Sequence, residues 1–290
     1  MKINKMMVGL SVLAIGLASC TQPNTETKSE TKKEENMEKS NKEKVVALLK
    51  SIETGDSVPV GYINPNKYIQ HNVGVADGLA GFGALLAQLP ANSAKVNTVR
   101  AFQDGDFVFT HTDYNFFGPK IGFDIFRFED GKIVEHWDNL QETAKPNPSG
   151  HTMIDGATEV KDLDKTEANK TLVRNFVDDI LVNGKMDKLA GYFNGDNYIQ
   201  HNPNIPDQLS GLGATLEALG KQGIFLKYDK IQRILGEGNY VLVVSEGHFG
   251  KDHNAFYDLF RVENGKIAEH WDVIEPITPK ETWKNNNGKF

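Results

Sequence analysis

Histidine and aspartate occur in two short, nearly identical patterns whose spacing can support acid–base chemistry. His136 and Asp138 flank one tryptophan, and His270 and Asp272 flank another. Side chains two positions apart on a β-strand point to the same face of the sheet, so each His shares a face with its Asp. On an apolar face, burial raises the pKa of such a carboxyl group toward neutrality, and a neighbouring imidazole shifts it again. Each pair is therefore a candidate for general acid–base catalysis.

Two other interpretations of the His-Trp-Asp pattern stay open. The pair can be a hydrogen-bonded group that only orders the sheet, because buried Asp and His side chains are tolerated when they are paired. A metal site is the weaker alternative, since His71 and Asn72 would have to complete the ligand set and no cluster of Glu or Cys supports it. We therefore predict a site with no metal ion and no cofactor.

The segments that carry these residues occur twice along the chain. The sequence YIQHN at 68–72 recurs unchanged at 198–202, and FRFEDGKIVEHWD at 126–138 recurs at 260–272 with ten of thirteen positions identical. The offset of 130 residues between the two YIQHN segments is too long for a solenoid repeat and indicates one small domain per copy. We place the first domain at 42–142 and the second at 166–277. The remaining segments are predicted as a signal peptide at 1–19, a disordered stalk at 20–41, a connector at 143–165 and a C-terminal tail at 278–290.

Each copy shows helical periodicity first and strand-like alternation afterwards. This order predicts an α+β fold in which helices pack on an antiparallel sheet. The predicted helices are 42–53, 77–89, 170–182 and 207–219, with an Asp able to cap the second helix of each copy. The predicted strands of the first copy are 96–102, 107–115, 121–128 and 132–140.

Composition excludes several classes of function. A formal charge of −7 and a pI near 5.7 argue against nucleic acid as a partner, because phosphate binding needs clustered Lys and Arg. The single cysteine, Cys20, cannot form an internal disulfide or a thiolate metal cluster.

The N-terminus has the features of an export signal. Lys2 and Lys5 precede an uncharged run at 6–18, which is too short to span a bilayer. The run ends in Leu-Ala-Ser-Cys, which resembles the bacterial lipoprotein box and implies lipidation of Cys20; an ordinary signal peptide is the alternative. The highly charged stretch that follows is predicted to be a flexible stalk. We expect a protein of the cell envelope, lipid-anchored outside the cytoplasm at the periplasmic or cell surface.

The motifs YIQHN, D-[IL]-FR and GKI-x-EHWD together resemble the SnoaL-like polyketide cyclases of the nuclear transport factor two-like superfamily. The resemblance covers nearly all of both copies. It implies two tandem cone-shaped α+β-barrel domains, each with N-terminal helices on a curved antiparallel sheet around an apolar pocket. It also implies cofactor-free aldol ring closure, in which the Asp of His-Trp-Asp is the general acid/base. By this likeness Asp272 and Asp138 are catalytic, assisted by His270 and His136.

The resemblance, together with the strand alternation and the comparison of the two copies, predicts a set of substrate-binding side chains around each pocket. In the first copy these are Tyr68, His71, Asn72, His111 and Asp124, and in the second they are Tyr198, His201, Asn202 and Asp258. For the two aspartates a surface position at a strand start is the alternative. The second copy keeps the Pro that usually follows His-Asn in the family, so we expect it to be the more active one.

Three functions are compatible with these residues. The first is acid–base chemistry of the aldol, isomerase or dehydratase kind on a small apolar carbonyl compound. The second is a non-catalytic binding protein for a small hydrophobic ligand, and the third is a cell-envelope interaction scaffold. The tryptophans of both His-Trp-Asp patterns lie among apolar residues on the opposite face of the strand. We therefore expect the two copies to pack as an internal pseudo-dimer through the convex faces of their sheets.

Overall fold

Each half of the chain forms one five-stranded sheet with helices packed against it. The computed structural model describes residues 38–90 and 93–290, so the predictions for the signal, for Cys20 and for the stalk up to residue 37 lie outside the described residues. The elements of the first half are α1 (Asn41–Thr54), β1 (Ile69–Gln70), α2 (Gly78–Leu86), β2 (Lys95–Asp104), β3 (Phe107–Asn115), β4 (Pro119–Glu129) and β5 (Lys132–Glu142).

The second half repeats this order of elements. They are α3 (Thr166–Phe176), β6 (Ile199–Gln200), α4 (Leu209–Lys221), β7 (Leu226–Glu237), β8 (Tyr240–Phe249), β9 (Asp252–Glu263) and β10 (Lys266–Pro276). The helix α3 continues directly into one π-helical stretch, Val177–Val182. The predicted α+β class is confirmed. No helix among residues 38–90 and 93–290 combines the length and the apolar character needed to cross a membrane.

The strand order is β1-β5-β4-β3-β2 in the first sheet and β6-β10-β9-β8-β7 in the second. Four strands of each sheet form the predicted antiparallel meander. The short strand β1 adds a parallel edge that the sequence reasoning missed, with Ile69 opposite Glu135 and Gln70 opposite His136. The sheets are therefore mixed, and this edge strand brings the YIQHN motif beside the EHWD motif.

Local sequence explains how the helices begin and end. Ser40 and Glu43 form a reciprocal capping box at the start of α1, and Gly55 ends the helix in a left-handed conformation. The predicted acidic caps of the second helices are wrong. Asp77 accepts instead from the backbone N–H of Gln70, and Asp207 does the same for Gln200, both at 3.0 Å. These carboxylates fix the chain around β1 and β6, next to the residues of the candidate site.

Within residues 38–90 and 93–290, three apolar cores hold the fold together. One lies between the helices and the sheet in each half, and the third contains residues from both sheets, including Trp137 and Trp271. Both indole rings are almost fully buried there. Each ring is covered by an arginine of the other half, Arg233 at 3.9 Å from the Trp137 ring and Arg100 at 4.3 Å from the Trp271 ring.

The connector and the C-terminal tail cross over between the halves. Asn147 of the connector donates to two backbone carbonyls beside β6 of the second half. Asn285 of the tail donates to two backbone carbonyls beside β1 of the first half. Each half is therefore braced by the segment that follows the other half in sequence.

Candidate functional site

The second half contains a large cavity between its helices and the front face of its sheet. Its volume is about 840 Å³. Most of the wall is apolar and comes from α3, the π-helical stretch, α4 and the sheet. The polar side chains of the wall include Tyr198, Gln200, Asn202, Tyr228, Asp258, His270 and Asp272. A mostly apolar cavity with a few polar groups is the usual form of a small-molecule site.

Asp272 is a buried carboxylate of this cavity with one oxygen that has no partner. Its Oδ2 accepts a hydrogen bond of 2.7 Å from Asn202 Nδ2, whereas its buried Oδ1 has no hydrogen-bond partner. Burial is the main reason why the pKa of Asp272 is raised; the nearby charge of Asp258 raises it further, while His270 and Asn202 act in the opposite direction. A buried carboxylate with one unsatisfied oxygen is poised to accept a proton.

In contrast to Asp272, the His270 side chain has a partner at both ring nitrogens. Its Nδ1 lies 3.0 Å from Gln200 Oε1, which also accepts from the backbone N–H groups of His201 and Asn202, so this atom is an acceptor and Nδ1 donates to it. The Nε2 atom lies 3.0 Å from Asp258 Oδ1. Both ring nitrogens are engaged, and His270 therefore orients Gln200 and Asp258.

The first half contains the same polar set around a much smaller cavity. Asp138 Oδ2 accepts from Asn72 Nδ2 at 2.7 Å, and its Oδ1 has no partner. His136 lies 3.0 Å from Gln70 Oε1 and 3.1 Å from Asp124 Oδ1. The cavity beside them has a volume of only about 60 Å³, which is the space of a few water molecules.

A tyrosine hydroxyl completes each polar set, but it comes from a different strand in each half. Tyr114 of β3 donates to Asp124 Oδ2 at 2.6 Å, and Tyr228 of β7 donates to Asp258 Oδ2 at 2.9 Å. The cross-strand neighbour of Tyr228 is Gly247, where any Cβ atom would collide with the backbone of β7. Sequence comparison of the two copies could not find this pair, because the two tyrosines do not occupy matching positions.

Several predicted site residues do line the cavities. His136, Asp138, Asp124 and Tyr68 surround the small cavity, and His270, Asp272, Asp258, Tyr198 and Asn202 line the large one. Asn72 reaches the first site through its bond to Asp138. Burial raises the pKa of the Tyr68 and Tyr198 hydroxyls, which keeps both protonated at neutral pH. The glutamines Gln70 and Gln200, which orient the histidines, were inside the repeated YIQHN motif but were not singled out.

Three predicted pocket residues lie on the opposite face of the sheet, and this is a correction. His71 stacks on Trp137 and His201 on Trp271, each at 4.6 Å between ring centroids. Each histidine directly precedes an Asn that faces the site, so the histidine side chain lies on the opposite face of the sheet. His111 is buried against Phe123 at 4.2 Å on the face that carries Phe109, the side shared between the sheets. Burial lowers the pKa of His111 well below its usual value, and the nearby charges of Arg100 and His201 act in the same direction.

Each polar set also places one His and two Asp side chains close enough together to be considered as metal ligands. Among the described residues, the ligand atoms of Asp258, His270 and Asp272 lie within 4.8 Å of one another, and the same holds in the first half. A metal ion there would take the place of the hydrogen bond between His270 Nε2 and Asp258 Oδ1. The free oxygen of Asp272 needs no such change to take up a proton, so proton transfer fits the geometry better.

The second half is a helix-covered sheet with a buried His–Asp pair beside a mostly apolar cavity, and comparison with protein families gives a match in this half. Residues 173–270 match the SnoaL-like domain. For this part of the chain, the resemblance to SnoaL-like proteins that the motifs predicted is confirmed. No curated protein matches the chain.

Solved structures with some similarity each cover about a third of the chain. IdmH of Streptomyces antibioticus, named as a candidate polyketide cyclase, is 17% identical and matches 34% of this chain and 90% of its own, with a TM-score of 0.30. A candidate ketosteroid isomerase of Kribbella flavida is 16% identical and matches 40% of this chain and 83% of its own, with a TM-score of 0.32. TsrD of Streptomyces laurentii is 20% identical and matches 36% of this chain and 92% of its own, with a TM-score of 0.30.

Proposed function

We propose that the second half is a cofactor-free acid–base catalyst for a small apolar carbonyl compound, of the aldol/cyclase, isomerase or dehydratase type. The observation that carries this proposal is the unpartnered Oδ1 of Asp272, buried in a cavity of about 840 Å³. The apolar wall favours a hydrophobic ligand.

In this proposal Asp272 Oδ1 removes a proton from the carbon next to the substrate carbonyl. The raised pKa of Asp272 makes the carboxylate a stronger base than an exposed one. Tyr198 is placed to donate to the enolate oxygen, because its hydroxyl accepts from Gln200 Nε2 at 3.1 Å and keeps its own proton free. Asn202 holds the other carboxylate oxygen and fixes the orientation of Asp272.

The first half has the same groups but no space for a ring. We therefore assign binding and turnover to the second half alone, and a supporting structural role to the first.

The test is exchange of the acidic α-protons of an apolar ketone in D₂O, followed by NMR. Asp272→Asn should slow exchange by roughly 10² to 10⁴, the usual contribution of a positioned general base, while ketone binding persists. Asp138→Asn is the matched control and should exchange at the wild-type rate. Equal rates in the wild type and in Asp272→Asn would refute the assignment. Binding without any exchange in the wild type would leave a non-catalytic binding protein as the function.

We also propose that the protein is tethered outside the cytoplasm by a lipid on Cys20. The support is the sequence at 17–20 and the uncharged run before it. Cys20→Ala should move the protein from the membrane fraction to the soluble fraction. Continued sedimentation of this variant with membranes would contradict the anchor.

A further inference from the structure

A second cluster of chemically active side chains lies on the back of the second sheet, away from the cavity. It joins His201 to two residues of the connector, His151 and Asp155. The Nδ1 atom of His201 is 2.8 Å from Asp155 Oδ1 and 2.9 Å from the Thr152 carbonyl oxygen. The Nδ1 atom of His151 is 3.8 Å from Asp155 Oδ2. One ligand atom from each of the three residues lies within 4.8 Å of the other two.

The outer nitrogen of each histidine is held by a carboxylate. His201 Nε2 lies 2.9 Å from Glu269 Oε1, and His151 Nε2 lies 3.2 Å from Asp207 Oδ2. Burial alone would raise the pKa of Glu269, but hydrogen bonds from His201 and Arg261 outweigh it and lower that pKa, so Glu269 stays ionised as an acceptor. This arrangement leaves both Nδ1 atoms facing Asp155, and metal-binding histidines are commonly oriented by carboxylates in this way.

The connector is fixed in place before any ion binds. Arg100 donates to the backbone carbonyls of Ile154, Asp155 and Ala157 at 2.6 to 2.9 Å. Gly156 adopts a φ of 91°, and any Cβ atom there would collide with the Glu269 carboxylate and the His201 ring. The Asp155 side chain is nevertheless 43% exposed and that of His151 is 32% exposed, so an ion can reach the cluster from solvent.

The first half offers a comparison at the equivalent place. His71 stacks on its tryptophan and is paired with Glu135 as His201 is with Glu269. Its Nδ1, however, lies 3.0 Å from the Gly288 carbonyl oxygen of the tail. The residue after Gly288 is Lys289, where the connector has His151 after Gly150, and Lys289 binds the Asp138 carbonyl and Glu275. Among the described residues, a further His and Asp beside the Nδ1 of the tryptophan-stacked histidine are thus found in the second half only.

We propose that His151 Nδ1, His201 Nδ1 and the Asp155 carboxylate bind a Zn²⁺ ion that clamps the connector onto the second half. Two imidazoles and one carboxylate are a common zinc ligand set, and water or the Thr152 carbonyl takes the remaining position. The ion takes the place of the contacts that His201 Nδ1 now makes with the Asp155 and Thr152 oxygens. The site is separate from the cavity, and the proposal does not depend on the function assigned to Asp272.

The experiment is titration of the untagged full-length chain with zinc alone by calorimetry, and with cobalt alone by visible absorption. Every protein carries Cys20→Ala, because a free thiolate is a competing zinc ligand. The parent should bind one ion per chain at this site. His151→Ala and Asp155→Ala should each weaken binding at least about tenfold. Asp207→Asn removes the carboxylate charge beside His151 Nε2 but keeps an oxygen that can accept from the Gln200 N–H, and it should weaken binding by roughly tenfold. All three positions are partly exposed, so these variants should fold, which a metal-free melting curve verifies.

The matched control is the double variant His248→Ala with His253→Ala. These two exposed rings stack at 5.1 Å on the same half and are the other histidine pair that could attract zinc. Their removal should leave the affinity unchanged. The proposal is overturned if zinc binds the His151→Ala/Asp155→Ala double variant as tightly as the parent, or if affinity is lost in the control instead. In that event His201 only links Glu269 to Asp155 through its two ring nitrogens.

Discussion

The two pockets share one polar arrangement and differ more than tenfold in volume. In both, an Asn holds one oxygen of the Asp and leaves the other unpartnered, and the His is paired with a Gln and a second Asp. The cavity is about 60 Å³ in the first half and about 840 Å³ in the second. A His-x-Asp pattern in a SnoaL-like sequence thus identifies a buried polar network, while the space beside it decides whether a ligand fits.

The difference in volume comes from the elements that cover the sheet. The helix α2 has nine residues and places Phe82 in the first pocket, where Phe116 also contributes to the wall. The helix α4 has thirteen residues and presents the smaller Leu212 and Thr215. The second half also has the π-helical stretch, whose Ile180 and Leu181 line the large cavity; such stretches often occur at functional sites.

The largest expected effect comes from filling the large cavity. Thr215→Trp should reduce ketone binding and proton exchange by about 100-fold, because the indole occupies the space of the ligand. Leu85 occupies the matching position in the first half. Leu85→Trp should leave binding and exchange unchanged and instead destabilise the protein by about 1 to 3 kcal/mol through overpacking. Calorimetry with the ketone and thermal melting measure both quantities. Loss of binding in Leu85→Trp would show that the first half also holds ligand.

Sequence alone was sufficient for the four antiparallel strands of the first half and for the faces of the last strand in each half, but not for the short parallel edge strands. Local rules determine both features. Gly105 and Gly131 form the hairpin turns, and His136 and Asp138 lie two positions apart and so share one face of the strand. His71 and His201 were assigned to the wrong face, because the direction of a residue just beyond a two-residue strand depends on a tertiary pairing. The cavity volumes follow from helix placement, and the crossing of the connector and tail follows from contacts far apart in sequence. No short stretch of sequence indicates the cavity volumes or the crossing of these two segments.

The next largest effect is a difference in stability between variants of the two arginines that cover the tryptophans. Arg100 holds three carbonyls of the connector, so Arg100→Met leaves them without a donor and should lower the free energy of unfolding by about 2 to 4 kcal/mol. For Arg233 the structure describes ring contacts with Trp137 and Phe107 but no ion pair, and burial lowers its pKa. Arg233→Met should therefore change stability by less than about 1 kcal/mol. Denaturant unfolding of both variants tests this asymmetry, and equal losses would contradict it.

A smaller effect separates the two crossing segments. Asn147 and Asn285 are both buried and each donates to two backbone carbonyls, so either change to Ala should lower stability by about 1 to 3 kcal/mol. Their effects on the ketone reaction should differ. Asn147 bonds to the carbonyl of Gln200, which positions His270, so Asn147→Ala should slow exchange several-fold, while Asn285→Ala should not. Slower exchange per folded molecule in Asn285→Ala would mean that the first half influences the chemistry.

The smallest expected effect is on the pH dependence of stability. Burial raises the pKa of Asp272 in the folded protein above its value in the unfolded chain. The folded state therefore keeps this proton to higher pH, and the carboxyl group favours folding most below its unfolded pKa of about 3.9. As the pH rises from there through the folded pKa, that contribution is lost. Asp272→Asn cannot ionise, so it should melt at nearly the wild-type temperature near pH 4 and at a temperature up to about 4 °C higher near pH 7. Melting curves of wild type, Asp272→Asn and Asp138→Asn across this range compare the two carboxyl groups directly. A variant that loses stability relative to wild type as the pH rises would show that the ionised Asp272 is stabilised by its surroundings, and the assignment of a strengthened base in the large cavity would then fail.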